Sequence, residues 1–356
     1  MGGISVTWYL DEAKKYDALF ENKAKDYQLS LTKPPRSLGD IEQFATRMSA
    51  YQQSLSPELS NIDIVIMAAD HGVTEENISS FPQSVTAEMI KNFASGGAAI
   101  AVLARSLHAR LTVFNLGTVS EISETVGVID VTVGKGTKNF CYHDAMTADQ
   151  CDQAMLHGKQ AADWASFNNC QLFIGGEMGI GNTTSAAAIA SRLLDISVEE
   201  VAGPGTGLDP QGIQHKINVI KKALALHTTT NPIDVLRKIG GFEIAALAGA
   251  YIACAQRGIP VMLDGFISTA AALVAVKINP SITPWLMASH CSQEPGHLHI
   301  LDALSLEPLV DLKLRLGEGS GAAMVVPLIQ LGCKLQSEMA RFRDAHVSEK
   351  LVSEAV

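Results

Sequence analysis

The sequence predicts an α/β fold, a three-layer, doubly wound, mostly parallel sheet of Rossmann-like design. Two observations carry the prediction. Short apolar runs ending in polar or glycine residues alternate with helical stretches long enough to cross back over a sheet. The runs are also nearly unbroken in their apolar character, as strands covered on both faces are.

The first run is "IDIVIMAADHG", residues 62–72. The others are "ARLTVFNLG" at 109–117, "NCQLFIGGEMG" at 169–179, "GIPVMLDG" at 258–265 and "TPWLMASH" at 283–290. "VGVIDVTVGKG", 126–136, reads as a shorter strand or hairpin piece. Helical stretches fall at 97–108, 147–166, 183–193, 213–227, 241–257 and 269–277. Ahead of the first strand, the first sixty residues read as mostly helical. Pro34-Pro35 stops whatever precedes it, and a helix starts near Gly39 or Asp40.

In sheets of this class ligands bind beyond the carboxyl ends of the strands. Those ends carry Asp70-His71, Gly175-Gly176-Glu177, Asp264-Gly265 and Ser289-His290. Polar groups therefore gather along one edge, which points to an enzyme. Of 356 residues, 47% are apolar and 18% charged, enough for one large or two modest domains. A net charge of −10 without a basic run excludes a nucleic-acid groove. A small phosphorylated ligand stays open, because backbone amides and one lysine can hold a phosphate.

The N-terminus lacks a secretory pattern, and Met1-Gly2 is followed by Val6 where myristoylation wants Ser or Thr. No run reaches membrane-spanning length: 262–276 is short and contains Asp264. Six cysteines without a CxxC pair fit a cytoplasmic thiol state.

Three glycine-rich turns carry the chemistry. "IGGEMGIGNTTSAAAIASRL", 174–193, places Gly175, Gly176, Gly179 and Gly181 ahead of a helix that Asn182, Thr183 or Thr184 could cap. It suits a phosphate, or is an ordinary strand-to-helix turn. It is neither GxxxxGK[ST] nor GxGxxG. "VAGPGTGLDPQGIQHKI", 201–217, offers Gly203, Gly205 and Gly207, with Lys216 as a point charge or as a solvated helix lysine. "LGEGSG", 316–321, frames Glu318 with Gly317 and Gly319, followed by Ser320. A helix from about Gly321 would favour the charged form of Glu318, so a base or electrostatic stabiliser is expected rather than an acid. A helix-cap carboxylate is the alternative. Glu177 is a second acid, and two carboxylates could flank an anomeric carbon.

Rival readings exist. Asp70, His71, Asp264, His290, His297 and His299 could ligate a metal of a hydrolase, but HExxH is absent. Ser320 could be a nucleophile, but GxSxG is absent.

Taken together, "KPPRSLG" at 33–39, "ADHGV" at 69–73, "GEMGIGNTT" at 176–184, "KIGGF" at 238–242, "DGFIS" at 264–268, "SH" at 289–290 and "LGEGSGAA" at 316–323 resemble the nicotinate-nucleotide–dimethylbenzimidazole phosphoribosyltransferase family. These enzymes activate the lower-ligand base of cobamides. The resemblance runs in order along nearly the whole chain. It implies transfer of the 5-phosphoribosyl group of nicotinate mononucleotide to a benzimidazole-type base, without a cofactor or metal. It implies Glu318 as general base and Glu177 as a second acid near the site. The phosphate-side wall would comprise Gly176, Gly179, Asn182, Thr183, Gly203, Gly205 and Lys216. Asp264, Ser289, His290, Gly317, Gly319 and Ser320 would complete the substrate site. In the base pocket Phe81 stands where the family has serine and Met89 where it has glutamine, and Arg36 replaces a common glycine. The family fold implies a large α/β domain at about 61–300 and a small helical domain from 1–60 plus about 300–356. A homodimer is implied, with no nucleic-acid or membrane partner. A carrier or sensor without turnover is the alternative function.

Overall fold

The computed structural model describes residues 7–205 and 207–348. Met1-Gly2 and Val6, considered above, and Thr206 lie outside them.

Six strands form one sheet: β1 (Ile62–Ala69), β2 (Arg110–Gly117), β3 (Val128–Asp130), β4 (Leu172–Met178), β5 (Val261–Leu263) and β6 (Leu286–Ala288). Their order is β3-β2-β1-β4-β5-β6 and every pairing is parallel. This is the Rossmann order, in which the connections reverse direction between β1 and β4. All eight residues of β1 are buried, which is why its sequence is so continuously apolar. Its one charge, Asp63, is register partner to Arg110 and accepts from that guanidinium at 2.5 and 3.0 Å.

Two strands are shorter than expected. Only Val261–Leu263 and Leu286–Ala288 pair, out of 258–265 and 283–290. Pro260 has no N–H for the ladder, and Pro284 sits in the 3₁₀ turn Pro280–Trp285.

The helices follow the expected alternation, with ends set by caps. Ala148–Phe167 opens on a capping box made by Thr147 and Gln150. Pro210–Leu226 starts three residues ahead of the expected 213, because Asp209 caps Gly212 and Pro210 suits the first turn. Ala148–Phe167 packs on Phe242–Arg257 through glycines. A Cβ at Gly158 would overlap the Ala246 carbonyl, and one at Gly249 the Met155 carbonyl. His297 and His299 lie on the helix Gly296–Leu304.

The described residues form two compact units: 7–14 with Asn61–Val325, and Lys15–Ser60 with 326–348. The division falls at 325, later than 300, because 286–322 is tied to the sheet edge through β6 and Asp264. In the helical unit Ala18–Leu29 and Asp40–Gln52 pair, and Gln336 hydrogen-bonds both Gln28 and Ser49. Arg36 adopts φ +59°, a conformation that favours glycine. Its presence therefore strains a turn of the helical unit.

Candidate active site

The strand ends beside the β1/β4 reversal carry the acids. Glu177 is the sixth residue of β4 and pairs in register with Met67. Gly176, beside it, lies against the Glu318 backbone: a Cβ there would stand 2.6 Å from the Glu318 carbonyl carbon. Gly317 in turn leaves room for Glu177, whose Oε1 would be 2.6 Å from a Cβ at 317. Small residues thus let two acidic segments pass at backbone distance.

The turn carrying Glu318 is left-handed at three successive residues, with φ of +84° at Gly317, +63° at Glu318 and +75° at Gly319. Two of the three positions use glycine, and Glu318 itself bears a strain of about 1 kcal/mol. Asp264, just past β5, holds the turn. Its Oδ2 accepts from Gly319 N at 3.0 Å and its Oδ1 from Ala322 N at 2.9 Å. It therefore caps the helix Ser320–Glu338 from a distant part of the chain. Ser320 donates to the Gly317 carbonyl at 2.6 Å, which tightens the same turn.

Electrostatics depart from the helix-terminus expectation. Burial, then the charge of Asp264, pushes Glu318 up from 4.5 to about 7. Desolvation outweighs the helix end, whose amides Asp264 already occupies. Burial and the charges of Asp264 and Glu243 hold Glu177 well above the carboxylate range, against the opposing hydrogen bond from Asn182. Asn182 serves that acid and does not cap its helix, whose N-cap is Gly181 at φ +98°.

These acids open on a cavity of about 520 Å³. Of the expected residues, Phe81, Glu177, Gly179, Asn182, Thr183, Gly205, His290, Gly317 and Glu318 line it. The rest of the expected set is not among the lining residues. Asp264 has both oxygens committed to backbone amides, and Ser320 is bonded as above. Ser289 bonds Leu263 O at 2.7 Å and the His290 ring at 2.9 Å. Lys216 reaches Thr183 Oγ1 at 2.8 Å and Gly203 O at 3.2 Å, and burial lowers it to about 8. The solvated-lysine alternative is removed, since Lys216 is buried. Met89 is half-buried, with its sulfur accepting from Asn92.

Sequence reasoning missed Glu294, Lys313 and Arg315, which also line the cavity. The two cations alternate just ahead of Gly317, a signal that was available. Glu294 had none, for it meets Gly205 only in the folded chain.

The rival chemistries find little support. Among the described residues no group of three or more His, Cys, Asp or Glu is placed to hold a metal ion. His297 bonds Thr269 and Ser292 N. Ser320 has its carbonyl partner and no histidine. A hydroxyl–imidazole–carboxylate row does exist. Ser185 lies 3.1 Å from His71 Nδ1, and His71 Nε2 lies 2.5 Å from Glu243. All three are fully buried, so the row braces the Gly179–Asn182 turn.

A family model described as "Phosphoribosyltransferase" matches residues 13–347. The chain is 51% identical over 349 residues to the nicotinate-nucleotide–dimethylbenzimidazole phosphoribosyltransferase of Pseudomonas fluorescens, covering 98% of this chain and 99% of that one. It is 50% identical to the like-named protein of Xanthomonas oryzae pv. oryzae, over 97% of this chain and all of that one. The crystal structure of CobT from Thermus thermophilus superposes with a TM-score of 0.90 at 41% identity, over 93% of this chain and 100% of that one.

Proposed function

The chain belongs to the nicotinate-nucleotide–dimethylbenzimidazole phosphoribosyltransferase family, and from that premise we propose that Glu318 is the general base of its transfer reaction. The enzyme moves the ribose phosphate of nicotinate mononucleotide to a benzimidazole-type base, giving α-ribazole 5′-phosphate and nicotinate. One nitrogen of the base attacks C1′ while the C1′–pyridinium bond breaks. The bonding pair returns to the pyridinium nitrogen, so the leaving group needs no proton. The other nitrogen's N–H grows acidic as its partner gains a bond, and Glu318 takes that proton.

The observation that supports this most is the buried, glycine-framed Glu318 poised at about 7. A base serves best with a pKa near the working pH. Glu177 and Glu318 make no ion pair among the described residues, so the acidic wall suits a cationic guest. The pyridinium substrate is one, and positive charge grows on the sugar during transfer. Lys216, Thr183, Gly205 and Arg315 form the phosphate side in this reading. Phe81 offers a flat apolar wall to the aromatic base. The homodimer and the cytoplasmic setting expected from the sequence belong to the same proposal. No described helix is long and apolar enough to cross a membrane.

Product analysis with nicotinate mononucleotide and a panel of bases, with and without chelator, tests this. Chelator-insensitive nicotinate release matched by a new riboside phosphate is expected. Release stopped by chelator would favour the hydrolase. Nucleotide binding without release would favour a carrier.

A further inference from the structure

We propose that Glu294 shares a proton with the phosphate of the bound nucleotide, so that nucleotide binding is coupled to proton uptake. The inference rests on reading the cavity as a nucleotide site. A carboxylate is an odd guest in an anion pocket, and its placement is specific. Its Oε1 accepts from Gly205 N at 2.9 Å, taking one of the amides a phosphate would use. Its Oε2 is buried and has no hydrogen-bond partner. A Cβ at Gly203 would overlap that oxygen, so the glycine turn is shaped around the carboxylate. Glu294 lines the same cavity as Thr183, Gly205 and Arg315, and Thr183 carries the Lys216 ammonium.

A phosphate dianion beside an ionised carboxylate is repelled. A phosphate beside a carboxyl that holds one proton gains a hydrogen bond instead, and this partners the oxygen now left bare. Burial already favours the protonated form of Glu294. The charged groups facing it are Lys216 from the helix Pro210–Leu226 and Arg315 from the segment ahead of Gly317, and both oppose that shift. His297, three residues on, stays neutral, lowered to about 3. Lys216, lowered to about 8, is a rival site for a proton taken up, while Glu177 and Glu318, both raised, would release protons to a cationic nucleotide, so the test reads differences between variants.

The test is calorimetry of nicotinate mononucleotide binding at pH 8, in phosphate-free buffers of different ionisation heat. The free phosphate is then dianionic, its second pKa being about 6. Wild type is expected to take up about one proton more per nucleotide bound than Glu294→Gln does. Glu294→Gln, which keeps an oxygen for Gly205 N, loses most of that uptake, while Lys216→Arg retains it. Unchanged uptake in Glu294→Gln with loss in Lys216→Arg assigns the proton to the lysine and overturns the proposal. Equal proton exchange by wild type, Glu294→Gln and Lys216→Arg overturns it too, and leaves the nucleotide reading standing. A folded wild type that binds no nucleotide removes both.

Discussion

Glu318→Gln should make the protein more stable in the pH range where it makes the enzyme worse. Raising a carboxyl from 4.5 to about 7 corresponds to about 3 kcal/mol of bias against its charged form. Glu318 opens on the cavity, so about 2–3 kcal/mol is the fairer figure after allowing for water. The sign follows from the raised value. The stability contributed by neutral Glu318 is present below about 4.5 and is lost as pH rises through about 7. A neutral glutamine of the same shape does not lose it. The variant and wild type should therefore unfold within about 1 kcal/mol of each other at pH 5. At pH 8 the variant should melt about 3–4 °C higher, given roughly 2.1 cal/mol/K per residue of unfolding entropy. Nicotinate release at pH 8 should meanwhile fall by about 10²–10⁴, the range for a lost general base. Wild-type kcat/KM should rise with pH through about 7 and then level off. Equal melting differences at pH 5 and pH 8 would refute the buried-acid reasoning. Unchanged turnover would refute the assignment of the base.

Other substitutions probe the supports of that acid. Asp264→Asn keeps an acceptor for one amide and turns an N–H₂ toward the other, so about 1–3 kcal/mol of stability should be lost. It also removes a charge beside Glu318, so the acid limb of the kcat/KM profile should move to lower pH. A limb that stays in place would show that Asp264 does not act on Glu318. Gly176→Ala drives a Cβ into the Glu318 carbonyl and should cost about a hundredfold in kcat, with the nucleotide Kd little changed. Wild-type turnover in that variant would mean that the backbone contact is dispensable. Phe81→Ser should raise the KM for the aromatic base and reorder a base panel, leaving nucleotide affinity alone. Met89→Gln should do less, because that side chain rests on Asn92 outside the cavity lining. A larger effect from Met89 than from Phe81 would reverse the two roles.

How much of this could be read from the chain depends on the range over which each feature is determined. β1 was legible because both its faces are covered, which writes an apolar run eight residues long. β5 and β6 were overread, since apolar neighbours such as Pro260, which has no N–H to donate, and Trp285, which ends a 3₁₀ turn, look like strand but lie outside the paired segments. Glu318 was legible because a left-handed turn needs glycines, and they stand next to it in sequence. Its protonation was not. The charge that raises it belongs to Asp264, far earlier in the chain, and the amides that would have favoured ionisation are bonded to that same residue. The phosphate side divides the same way. Gly203 and Gly205 announce a turn, whereas the carboxylate filling that turn arrives from residue 294.

The acids also connect stability to binding. In the unliganded protein Glu177 and Glu318 are buried side by side with a third acid, Asp264, whose oxygens are spent on backbone. Such a cluster is unfavourable when charged, and the protein resolves it by keeping protons. A pyridinium nucleotide bound there would supply the missing positive charge and lower both acids. The free energy withheld from the native state at high pH would then return as affinity for the cation. The same substrate charge would ionise Glu318 before the base arrives. The nucleotide should therefore protect the protein against heat more strongly at pH 8 than at pH 5. Ribose 5-phosphate, which has no pyridinium, keeps only the proton shared with Glu294, so its own protection should not rise from pH 5 to pH 8. Thermal shifts for the two ligands at both pH values separate charge compensation from phosphate binding alone.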